Sequence, residues 1–289
     1  SFVTTNTGNT PISSTIIITP TYTNGGVSCS GAPITFTITV NPIPNVNGVN
    51  NQVICNGSTT TGVTFTGNVA GTIYNWSNTN TAIGLGASGV GDIASFVTTN
   101  TTSATISGTI TAVPIYTNAG LSCTGASTSF TIAVNPIPTV NAVANQTICV
   151  GGSTTLVTPT GFVPGTVYNW TSSNTAIGLA ASGTGNIPSF VTTNTGNTPI
   201  SSTITITPTY SNGGVSCSGA PVTFTITVNP IPNVNGINNQ VICNGSTTTG
   251  VTFTGNVAGT VYNWSNTNTA IGLGASGVGN IASFVTTNT

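Results

Sequence analysis

The chain has 289 residues but no Lys, Arg or His, and Asp92 is its one acidic side chain, so its formal net charge is −1. Acid–base catalysis needs a group that titrates near working pH, and a Ser or Thr nucleophile needs a neighbouring base. Neither need is met, and one carboxylate cannot make the pair that hydrolyses glycosides.

The same count leaves no cation to meet phosphate, which excludes nucleic acid and anionic lipid headgroups as partners. Without His, and with Cys spacings unlike a thiolate cage, no metal or cofactor site can be drawn, so the chain is read as non-enzymatic with no cofactors. No run approaches the ~20 apolar residues of a membrane span. The chain holds no Met and no signal peptide, so it is expected to be an internal window of a larger precursor. Six Cys in so polar a chain point to an oxidising, extracellular compartment.

An internal repeat organises everything else. SFVTTNT begins at Ser1, Ser95, Ser189 and Ser283, a spacing of 94 residues. NPIP (Asn41, Asn135, Asn229), the Trp residues (Trp76, Trp170, Trp264) and both Cys series (Cys29, Cys123, Cys217 and Cys55, Cys149, Cys243) keep the same period. The first and third copies are nearly the same and the middle one has diverged, which suggests a duplicated unit of 188 residues. Proline fixes φ, removes a donor and extends its neighbour, so NPIP is the expected domain boundary.

In chain order, residues 1–40 are then the last strands of a preceding β-sandwich, with Thr35, Thr37 and Thr39 alternating along one of them. Residues 41–134 form a complete repeat. It opens on the stiff connector of Pro42 and Pro44, turns at Asn56-Gly57-Ser58, and alternates at Val63 and Phe65. Ile73 and Tyr74 lead into Trp76, Asn118-Ala119-Gly120 marks a turn, and Phe130, Ile132 and Val134 close the last strand. Period-two alternation of β-branched and aromatic residues, broken by turn signals, predicts several short strands and no helix. Residues 135–228 repeat the plan, and 229–289 begin it again. The expected fold is all-β: tandem immunoglobulin-like β-sandwich domains in an extended array. Trp76, Trp170, Trp264, Phe65, Phe96 and Phe130 are expected in the cores.

Three cysteine connectivities stay open. Pairing within a domain gives Cys55–Cys123 and Cys149–Cys217, and is favoured although the two loops of an immunoglobulin order sit at opposite ends. Pairing across a boundary gives Cys29–Cys55 and its repeats. A bridge from one domain to another in register gives Cys55–Cys217. Asn-x-Ser/Thr triplets at Asn56, Asn75, Asn100, Asn145, Asn169, Asn244 and Asn263 are what chance produces in a chain this rich in Asn, Ser and Thr.

The segments TFTITVNPIPNV, VICNGSTT and YNWSNTNTAIGLGASGVGDIASF, followed by a Cys-Ser-Gly or Cys-Thr-Gly turn, resemble the PKD-like domain repeats of Bacteroidota. The resemblance covers the whole chain. It implies very long secreted surface proteins, including giant gliding-motility-associated adhesins that look like type IX secretion cargo. It implies a sandwich fold and a stalk or adhesin role, and brings no catalytic residues.

The leading expectation is therefore a structural stalk or fibre region of a cell-surface adhesin. The first alternative is a self-assembling filament or sheath whose neutral edges or disulfides link chains. The second is direct binding of carbohydrate, another surface or ice by Thr arrays. Expected partners are neighbouring repeats of the same chain and identical chains in a filament. A glycan or surface ligand would be met elsewhere in the full protein, with no membrane contact within this segment.

Overall fold

Where Ile, Val or Phe alternates with Thr or Ser, β-branching stiffens the chain and a period of two gathers the apolar groups on one face. Those runs are strands in the structure, a computed structural model that describes residues 1–288. The first four strands are β1 (Ile12–Ile18), β2 (Thr21–Asn24), β3 (Val27–Ser30) and β4 (Ile34–Val40). Next come β5 (Gln52–Cys55), β6 (Ile73–Asn78), β7 (Ser88–Val90), β8 (Ile106–Asn118), β9 (Leu121–Thr124) and β10 (Thr128–Asn135). The same pattern recurs in β11 (Gln146–Cys149), β12 (Val167–Ser172), β13 (Ser182–Thr184), β14 (Ile200–Asn212), β15 (Val215–Ser218) and β16 (Val222–Asn229). Two short strands, β17 (Asn263–Ser265) and β18 (Ser276–Val278), complete the set.

The chain divides into two compact units. Unit 1 comprises Ser1–Pro138, Phe162–Thr166 and Thr209–Ser218, and unit 2 the remainder. The main sheet of unit 1 runs β5-β10-β8-β6-β7, with β9 continuing alongside β8. All its pairs are antiparallel except β5–β10, which brings the first strand of the repeat parallel to the last. Extended segments bridged at Thr59–Val97 and Val63–Ile93 form the opposing layer. Val63, Phe65, Ile93, Ile110, Phe130 and Ile132 fill the space between the layers. In unit 2 the order is β11-β16-β14-β12-β13 over a core that includes Val157, Ile187, Ile204, Phe224 and Ile226. The fold is all-β, in tandem immunoglobulin-like sandwiches.

Three details follow from local chemistry. In β8 the register with β10 ends at Ala112–Thr128, and that with β9 begins at Ile115–Thr124. Pro114 falls in the gap, where its missing N–H costs no ladder bond, and its carbonyl accepts from the Gly125 N–H at 3.0 Å. The sequence predicts no helix, yet single 3-10 turns form at Thr81–Ile83, Thr175–Ile177 and Thr269–Ile271. The Asn80 side chain caps the Ala82 N–H, and Gly84, at φ 98°, ends the turn in a left-handed conformation that a Cβ would strain. One turn is too short to show a 3.6-residue apolar stripe, so no periodicity betrays it.

Burial separates the copies. Phe130 and Phe224 are 2% and 3% exposed, whereas their equivalent Phe36 in β4 is 48% exposed. Among the described residues β4 pairs only with β1, and β2 only with β3.

Candidate functional site: a covalent clamp

Among the described residues no group of three or more His, Cys, Asp or Glu side chains could hold a metal ion, and no helix is long and apolar enough to cross a membrane. The one constellation that combines covalent chemistry, full burial and converging polar groups lies in unit 1, where the tip of the β14–β15 hairpin meets the end of β5.

Alternation places Cys217 inward on β15, where it is 1% exposed. β5 ends on Cys55, held beside Asn135 by the parallel pairing with β10. The two cysteines form a disulfide with Cα atoms 5.7 Å apart and a sequence separation of 162. The hairpin can approach because its turn is Asn212-Gly213-Gly214-Val215, with φ of 58° and 77° at the two glycines, the twist that two-residue hairpins require. Gly213 also faces Val53: a Cβ there would lie 2.9 Å from Val53 Cγ2.

Asn135, the first residue of NPIP, is fully buried and organises the polar side of the clamp. Its Nδ2 donates to the Asn212 carbonyl at 3.0 Å, and its Oδ1 accepts from Asn212 Nδ2 at 3.2 Å and from Thr105 Oγ1 at 2.8 Å. Asn212 Nδ2 also donates to Thr105 Oγ1 at 3.1 Å, and the Tyr210 hydroxyl lies 3.4 Å from that oxygen. The Asn135 carbonyl accepts from the Asn56 N–H at 2.9 Å. Buried amides are stable only when their donors and acceptors are met, so this ring fixes one position of the hairpin tip. The same reciprocal pair recurs 94 residues earlier, where Asn118 Nδ2 donates to Asn41 Oδ1 at 2.8 Å.

This arrangement corrects the intradomain pairing. Cys123 lies opposite Tyr116 on β8, whereas Cys55 sits beside Asn135, past the Ile106 end of the same strand. Ten strand residues at about 3.3 Å each put these ends roughly 33 Å apart, far beyond disulfide reach. Pairing Cys29 with Cys55 is likewise overturned. Cys29, Cys149 and Cys243 are free and exposed, and Cys123 is free and half-buried.

The aromatic residues sit as follows. Phe65, Phe130 and Trp170 are buried, and Trp76 and Phe96 pack half-buried against the core of unit 1. Trp264 is half-buried. Each indole lies on a glycine of the next strand, Gly89, Gly183 or Gly277, leaving no room for a Cβ. Its Nε1 is buried without a hydrogen-bond partner in all three copies. Thr35, Thr37 and Thr39 lie on β4, and all three are exposed.

The triplet asparagines divide. Asn100 is buried, and Asn56, Asn145 and Asn244 accept backbone N–H bonds from Asn100, Thr225 and Asn288. Asn75, Asn169 and Asn263 are exposed on the Trp-bearing strands. A groove of about 670 Å³ in unit 2, lined by Val251, Leu273, Ile281 and Phe284 among others, repeats positions that are core in unit 1. It is uncharged, and Asn and Thr side chains such as Asn244, Thr248 and Asn268 line the rest of it.

Sequence reasoning missed Asn135, Asn212, Thr105, Gly213 and Val53. The Asn of each NPIP and the Asn before each hairpin turn recur every 94 residues, but a linker and a turn account for that spacing equally well.

Residues 146–232 match the PKD-like domain family. Residues 52–138 lie one 94-residue period earlier. No curated protein matches the chain. Among solved structures, protocadherin Gamma B2 extracellular cadherin domains 1–5 align over 95% of this chain and 59% of theirs, at 14% identity and a TM-score of 0.34. Sidekick-1 immunoglobulin domains 1–4 align over 96% and 87%, at 10% identity and a TM-score of 0.30. A SusE-like surface-located polysaccharide-binding protein from Bacteroides thetaiotaomicron aligns over 68% and 36%, at 13% identity and 0.24. The chain thus spans about three fifths of the protocadherin's length.

Proposed function

We propose that the chain is a structural segment, a stalk or fibre, of a long extracellular surface protein. Its repeats, with boundaries at NPIP (41–134 and 135–228), act as spacers and not as catalysts. The observation that carries the reading is the clamp. A repeat that needs only to fold alone has no use for a disulfide across 162 residues, ringed by buried amides, that reaches past the NPIP at Asn135. The PKD-like match and the near-absence of charge support it, since a spacer needs neither ligands nor titrating groups. The resemblance to Bacteroidota surface repeats supplies the cell-surface setting and the type IX route.

Sedimentation velocity of the purified chain, across concentration and with and without reductant, tests this reading. A spacer stays monomeric at every concentration. Growth into long species with concentration overturns it.

A second reading is favoured by one observation. Cys29, Cys149 and Cys243 are exposed thiols on repeating positions, placed to join one chain to another in a filament. Covalent oligomers that disappear on reduction would establish it.

A further inference from the structure

We propose that the Cys55–Cys217 bridge is a tension bypass: a pull along the chain crosses at the disulfide, and residues 56–216 bear none of it until the bridge is reduced. The inference rests on the clamp alone and holds whether the chain is a stalk or a filament.

Tension in a polypeptide follows the shortest covalent path. From the N-terminal side it passes through β1 to β5 and reaches Cys55. There it meets two routes, a backbone that runs over a sequence separation of 162 or one S–S bond whose flanking Cα atoms are 5.7 Å apart. The backbone route holds β6 to β14, the Trp76 and Trp170 strands and most, though not all, of both core clusters. It cannot be drawn taut while the bridge stands.

The clamp is built to deliver load to the sulfurs. Cys55 is the last residue of β5, at the exit of the parallel pair with β10. Cys217 is buried on β15, and Gly213, Asn212 and Asn135 seat its hairpin against Val53 and Thr105. Burial of Cys217 also keeps solution reductant off that sulfur while the fold is intact. Release is a balanced exchange: a dithiol gives two electrons and two protons to the bridge, the S–S bond becomes two Cys thiols, and the reductant becomes its own disulfide.

At about 3.5 Å per extended residue, the bypassed segment holds roughly 570 Å of hidden length. Single-molecule stretching of the full chain from its two ends reads this directly. The oxidised chain is expected to fall short of its full contour by about 570 Å. Adding dithiothreitol to the same molecule while it is held unfolded should release that length in one step, and C55S/C217S should lack the shortfall from the start. If the double variant fails to fold, the reductant step on the unaltered chain still decides. Oxidised chains that reach full contour overturn the proposal. So does a shortfall of about 240 Å, the length of the 68 residues that separate Cys55 from Cys123, because the bridge would then close within one repeat. Self-association in sedimentation together with the 570 Å shortfall would remove the spacer reading and keep the bypass.

Discussion

At the scale of single residues, the clamp and the pleat depend on atoms that are missing. Gly213 combines a left-handed φ with contact against Val53, so Gly213→Val meets strain and a clash at once. It is expected to cost about 1–3 kcal/mol, read as an earlier unfolding transition, with slower formation of the Cys55–Cys217 bridge. The converse holds at Ala119, the one non-glycine with positive φ among the described residues, at φ 50°. Ala119→Gly is expected to stabilise by about 1 kcal/mol, seen as a raised midpoint in thermal melts.

Asp92 is a case of charge without a charge's usual role. Its Oδ1 accepts from the Phe65 N–H at 2.9 Å, and Asn280 does the same for Phe253 at 2.9 Å. Burial first, and the Asp92 carboxylate second, push the Tyr74 hydroxyl above its ordinary value. The folded state therefore holds that proton more tightly than the unfolded state. The resulting stability is complete below a pH of about 10 and is lost as pH rises through the raised value. Asp92→Asn is expected to move Tyr74 ionisation to lower pH, followed by tyrosinate absorbance, while leaving the hydrogen bond to Phe65 in place.

At the scale of elements, equivalent strands of the repeat differ in burial. Phe130 in β10 and Phe36 in β4 occupy the same repeat position, but the first is 2% and the second 48% exposed. Phe130→Ala is expected to cost about 3–5 kcal/mol in chemical denaturation because it opens a cavity between two packed layers. Phe36→Ala is expected to lose less, because that ring is 48% exposed in this chain. If the two substitutions cost the same, β1–β4 would be packed as fully as β8–β10. Strand period, turn chemistry and the core face were legible in the sequence, since Ile110, Phe130 and Ile132 alternate with Thr and Ser. The 3-10 turns were not, because one turn carries no periodicity.

For the whole molecule, two features set the stability. Removing the clamp with C55S/C217S is expected to cost about 2–5 kcal/mol, since closing so long a loop restricts the unfolded chain strongly. Equilibrium denaturation followed at the tryptophans measures this. With no Lys, Arg or His and one carboxylate, protons have almost nothing to bind differently on folding. With the bridge intact, the melting temperature is accordingly expected to stay flat from about pH 5 to pH 7.

The sequence by itself determined the period of 94, the all-β class and the near-absence of titrating chemistry, because each is written in local composition and spacing. Only the tertiary structure decided which cysteines meet. The thirteen residues of β8 hold Cys55 and Cys123 at opposite ends, and the buried amides of Asn135 bring the hairpin of Cys217 to the end that Cys55 occupies. Spacing along a chain says how far apart two residues are in sequence. Which end of a strand each one reaches is settled by the register of pairing between strands, and that is a property of the folded sheet.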